Sequence, residues 1–151
     1  MTTLADFIRL WTHPDYPPDR VAEADMRRAE QRFGIVFPAA YRQAVLAHGA
    51  PAPTLALLNS IVENEIDIED VSEFFVPDDV ISATEDWRGM GLPGTLVAFA
   101  GDSMGNLFAF DQGGAPSVWF FNHDSGDVRR VADSFEDWLA RYCALPPAAI
   151  D

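Results

Sequence analysis

Two short apolar runs, Thr95 to Ala100 and Asn106 to Asp111, flank the polar connection Gly101-Asp102-Ser103-Met104-Gly105. They read as two antiparallel strands joined by a turn. The first run is almost wholly apolar, which suits a central strand covered on both faces. In the second, Leu107, Ala109 and Asp111 point one way and Phe108 and Phe110 the other, so the two phenylalanines are the leading core residues. Ser117 to Phe121, rich in aromatic and β-branched residues, predicts a third strand, and Val128 to Val131 extends the meander.

Elsewhere the apolar period is that of a helix. Leu4, Phe7, Ile8 and Trp11 recur at i, i+3, i+4 and i+7 behind Thr3 as a cap. A second helix is expected from near Asp19 to Glu23 through Phe33, with Met26, Ala29 and Phe33 inward and Gly34 after its last turn. Pro38 opens a third, with Tyr41, Ala44, Val45 and His48 in one stripe and Gly49 as its stop. Pro77 starts a helix carrying Val80, Ile81, Thr84 and Trp87, and Ser134 caps a last one with Phe135, Trp138, Leu139 and Tyr142 inward. In between, Leu55 to Leu58 and Ile61 to Val62 look like strands or one bent strand. From Glu63 to Asp70 acids alternate with apolar residues, the period of an edge strand with a charged outer face. The sum is an α+β fold: one domain over residues 1–145, and a frayed tail at 146–151. Its antiparallel sheet of about four to six strands packs against the N-terminal helices and a C-terminal helix.

Charge changes what such a domain can meet. The chain of 151 residues carries ten basic residues, all arginine, against 24 acidic ones, for a net charge of −14. That balance repels nucleic acid and anionic membranes and speeds encounter with a basic protein. The distribution sharpens the point, because Glu63, Glu65, Asp67, Glu69, Asp70, Glu73, Asp78, Asp79, Glu85 and Asp86 all precede the next arginine, Arg88. A solvated acidic edge and a partner surface are both consistent with that window. No apolar run approaches the roughly 20 residues that span a bilayer. The first residues also lack the basic-then-apolar order of a signal peptide. With Cys143 as the sole cysteine there is no intrachain disulfide and no cysteine-based zinc site, and a cytoplasmic location is expected.

Candidate chemistry is sparse. The histidines are His13, His48 and His123, none with a serine or cysteine beside it in a recognisable elbow. Asp124 to Asp127 and Asp102 to Asn106 use the residues of tight turns and lack the alternating oxygen ligands of a calcium loop. Asp67, Glu69, Asp70 and Glu73 offer carboxylates, but paired acid–base catalysis needs a cleft that shifts their pKa values. A hydrolase using His123 with Asp124 or Asp102 is the weakest reading. No catalytic residue, metal or cofactor is assigned.

The order of certain pieces resembles the SUKH superfamily, which contains a yeast cell-wall-synthesis regulator and many bacterial immunity proteins. The pieces are Ala29-Glu30 through Phe33-Gly34, Phe37-Pro38 with Tyr41-Arg42 and Gly49, and Phe99-Ala100-Gly101-Asp102 with Gly105-Asn106. Val118-Trp119-Phe120 before Asn122-His123-Asp124, and Ser134-Phe135 with Trp138-Leu139, complete a set covering most of residues 20 to 142. The resemblance implies helices packed on an antiparallel sheet, no catalytic residues and, in bacterial members, an immunity role that blocks a cognate toxin, often a nuclease. The segment from Pro51 to Trp87 has no counterpart in it, and there the acids gather. The expectation is a protein-binding domain that neutralises a basic toxin. Glu63, Glu65, Asp67, Glu69, Asp70, Glu73 and Asp102 form its acidic contacts, and Trp87 is an anchor. A regulatory scaffold of the same fold is the alternative.

Overall fold

The computed structural model describes residues 3–147. The helices are α1 (Leu4–Trp11), α2 (Glu23–Phe33), α3 (Ala39–His48), α4 (Leu55–Glu63), α5 (Pro77–Arg88) and α6 (Phe135–Cys143). The strands are β1 (Glu73–Phe74), β2 (Leu96–Gly101), β3 (Leu107–Asp111), β4 (Val118–Phe121) and β5 (Val128–Ala132). These strands form one antiparallel sheet in the order β1-β2-β3-β4-β5. The chain is thus a single α+β domain.

The alternation within β3 decides which face of the sheet carries which helix. Phe108 and Phe110, with Val97, Phe99, Val118 and Phe120 of the neighbouring strands, join the large core built with α1, α2, α3 and α6. Phe99 stacks on Phe110 at 4.2 Å, and Tyr41, Phe135 and Trp138 meet Phe99 edge-on. Leu107, Ala109, Leu96, Ala98 and Phe121 point to the opposite face, where Leu92 and the half-buried Trp87 and Trp119 cover them. Strand β2 is buried along its whole length, as its apolar run predicts.

A register shift between Ala98 and Ala100 interrupts the β2–β3 ladder. Beside it, β2 bonds outside that ladder. Ala98 donates its N–H to the Thr84 hydroxyl of α5 at 3.0 Å, and Phe99 accepts from the Phe75 N–H at 2.9 Å. The Thr84 contact ties α5 to β2.

Helix ends follow the sequence closely. Thr3 and Asp6 form a reciprocal capping box on α1, Gly34 closes α2 in the left-handed region, and Ser134 caps α6. His48, placed on the inner stripe of α3 by its spacing, is instead exposed, because the buried stripe is Tyr41 and Val45 alone.

Two expectations for the middle of the chain are corrected. Leu55 to Val62 is helix and not strand: Thr54 caps it through the Ala56 N–H, and Leu57, Ser60 and Ile61 turn inward at i, i+3 and i+4. Leu55, Leu58 and Val62 make the other side apolar too, which masks the helical period. Glu63 to Asp70 forms no edge strand. The chain turns at Glu65, whose φ is 53°, and Ile66 and Ile68 lean on the core without a ladder partner. The place beside β2 is taken by Glu73–Phe74. Of the expected tail at 146–151, Pro146 accepts a hydrogen bond from the Ser60 hydroxyl, and residues 148–151 lie outside the described residues.

Candidate partner-binding surface

The acids that are contiguous in sequence separate into several roles in space. Glu69 turns inward and takes Arg129 and Arg141 as ion-pair partners, while its carbonyl accepts from the Tyr142 hydroxyl at 3.0 Å. Asp70 is 7% exposed and accepts from the Ser103 hydroxyl at 3.0 Å and the Ser103 N–H at 3.3 Å. Burial pushes the Asp70 carboxyl above the usual carboxylate range, against the opposing pull of those hydrogen bonds.

Asp102 organises the β2–β3 turn. Its Oδ1 accepts from the N–H groups of Met104 and Asn106 at 2.9 and 2.8 Å, and its Oδ2 accepts from the Asn106 side chain at 3.0 Å. Asn106 Oδ1 then accepts from the His123 N–H at 3.1 Å and lies 2.7 Å from His123 Nδ1. Asp70 and Asp102, expected as partner contacts, are internal struts of this turn, and Glu69 is the clasp between the chain before β1 and the β5–α6 corner.

Glu73 is exposed at the sheet edge. Its carboxyl is raised first by desolvation and then by the neighbouring charges of Asp79 and Asp19. Asp78 and Glu85 reach from α5 to Arg28 and Arg32 of α2. Trp87 is half-buried, edge-on to Phe121 at 6.3 Å and 5.4 Å from His123, and so belongs to the back layer of the sheet.

Glu63, Glu65 and Asp67 remain at the surface at the C-terminal end of α4. Among the described residues Glu65 and Asp67 take part in no ion pair, whereas eight of the ten arginines do. The molecule's bases are mostly spent on its own acids. Of the other two, Arg88 is half-buried and Arg20 is exposed, so most of what is left projecting is negative.

Among the described residues His123 touches Asn106, Asp124 and Trp87, with no hydroxyl or thiol nucleophile hydrogen-bonded to it. Burial pushes the Cys143 thiol up to about 11, so thiolate is scarce at neutral pH. No group of three or more histidines, cysteines or carboxylates placed to hold a metal occurs among the described residues. No helix among them is long and apolar enough to cross a membrane.

Sequence reasoning missed the outer face of α4, where Leu55 and Val62 are 73% and 66% exposed beside these acids. The signal was present as Leu55, Leu58 and Val62 at i, i+3 and i+7, but a strand reading scatters those residues over both faces.

No curated protein matches the chain. A family model does, over residues 20–141, and this span takes in α2 to α5, the whole sheet and most of α6, so the match also runs through the segment from Pro51 to Trp87 that was expected to have no counterpart. The pieces it covers are the ones the core is built from: Tyr41 under the sheet, Gly49 against Asp19, and the Asp102 turn with Asn106 and His123. The chain belongs to the SMI1 / KNR4 family (SUKH-1).

Proposed function

We infer that this chain is a non-enzymatic binding protein, an immunity protein that neutralises a cognate toxin by occluding it. The observation that carries the reading is the uneven use of charge. Eight of the ten arginines are paired internally, while Glu65 and Asp67, with Glu63 beside them, face solvent next to an exposed apolar helix face. A net charge of −14 draws a basic protein in, and contact at that surface then holds it. A nuclease suits the partner role, since an enzyme that binds a polyanion carries a basic surface. Membership of a family generally without catalysis supports the same conclusion.

The test is co-expression with the product of the adjacent gene. If that product is toxic, the intact protein should restore growth and co-purify with it. The Glu65→Lys, Asp67→Lys double variant should weaken the complex by roughly tenfold or more. Rescue at full strength by the charge-reversed variant removes the acidic surface from the account. A neighbouring protein that binds without being toxic favours a regulatory scaffold instead.

A further inference from the structure

A surface helix usually turns a polar side to water. Helix α4 does not. Leu55 and Val62 are two turns apart and point the same way, with the half-buried Leu58 between them. The opposite side of the helix carries the buried Leu57, Ser60 and Ile61, so the fold's own packing is complete without the outer stripe. A lone exposed leucine is ordinary. Three apolar residues at i, i+3 and i+7 are the spacing by which one helix packs along another.

Charge selects the occupant. Helix α4 has no acid in its first turn and no base in its last. The negative end of its dipole coincides with Glu63 and is followed at once by Glu65 and Asp67. One end of the stripe is therefore strongly negative. A second copy of this chain, itself carrying −14, is repelled from such a surface, as is an anionic membrane.

We propose that the outer face of α4 docks an amphipathic helical segment of a basic protein partner. The segment's apolar side lies along Leu55, Leu58 and Val62, and its lysines or arginines lie at the Glu63-to-Asp67 end. This rests on the reading that the partner is basic. It adds where that partner sits, and that apolar burial retains it once charge has brought it in.

The test titrates the isotope-labelled full chain with three peptides. One is a leucine–lysine peptide of about four turns with leucines at helical spacing. The second has the same composition scrambled so that the leucines scatter, and the third is oligolysine. The amphipathic peptide should shift the amides from Thr54 to Asp67 and bind roughly tenfold tighter than its scrambled form, ~1.4 kcal/mol. Leu55→Ser with Val62→Ser should abolish that advantage and leave oligolysine binding unchanged. Both residues are exposed, so the thermal unfolding of the variant should match the parent.

Equal affinity for the two leucine–lysine peptides, or shifts centred elsewhere, overturns the proposal. So does parent-like binding by the serine variant. Self-association of the parent that the serine variant lacks assigns the face to a second copy and overturns it too. Failure of the underlying reading looks different: Glu65→Gln with Asp67→Asn would then leave oligolysine binding untouched.

Discussion

Asp102 and Asp67 carry the same carboxylate, but only one is available to another molecule. Asp102 accepts three hydrogen bonds within its own turn, two of them from backbone N–H groups that have nowhere else to go. Asp102→Ala should destabilise the fold by about 2–4 kcal/mol in urea unfolding, with Asp102→Asn losing less, because the orphaned donors bear the cost. Glu73 is a different case, raised chiefly by desolvation and further by Asp79 and Asp19. With its folded pKa above the unfolded one, ionisation opposes folding, and stability falls as pH rises through the folded value. The penalty is absent below the ordinary carboxylate range of about 4. Glu73→Gln should therefore raise Tm at neutral pH, and the gain should disappear in acid. A gain that persists unchanged in acid would exclude desolvation of the carboxylate as its source. The sequence lists acids but not their directions, so Glu69, Asp70 and Asp102 were legible as charge and illegible as struts. Only the Asp102-to-Asn106 turn chemistry hinted at an inward role.

Elements were legible where the period was clean. The helix at Leu4, Phe7, Ile8 and Trp11, the all-apolar β2 and the alternating β3 each bury the side their spacing names. Helix α4 was illegible for a physical reason, since apolar residues on both sides leave no contrast for a period to show. Short connections carry their own logic. Gly49, at φ 88°, lies where a Cβ would stand 2.5 Å from the Asp19 carbonyl oxygen, at the bridge between Asp19 and Ala50. Gly34, at φ 65°, has open space around it. Alanine at Gly34 should cost about 1 kcal/mol from backbone conformation alone. At Gly49 the clash adds to the strain, and about 2–4 kcal/mol is expected from denaturant midpoints. Equal costs at the two sites would mean that the Asp19–Ala50 bridge yields to the intruding methyl.

At the scale of the whole molecule, electrostatics and apolar burial act at different moments. A net charge of −14 with most arginines already paired produces a field that reaches as far as salt allows. That distance is ~10 Å at 0.1 M ionic strength and ~3 Å at 1 M. Long-range attraction governs how often a basic partner arrives correctly oriented, whereas the contacts formed afterwards govern how long it stays. The two terms can be separated in stopped-flow measurements on the same complex. Raising ionic strength across that range should lower the association rate constant by roughly tenfold or more and move the dissociation rate little. Glu65→Lys with Asp67→Lys should flatten that salt dependence. Leu55→Ser with Val62→Ser should leave the association rate near its parent value and speed dissociation, because the exposed stripe of α4 has no reach beyond contact. An association rate indifferent to salt would mean that the surplus acids keep the protein dispersed and do not recruit its partner.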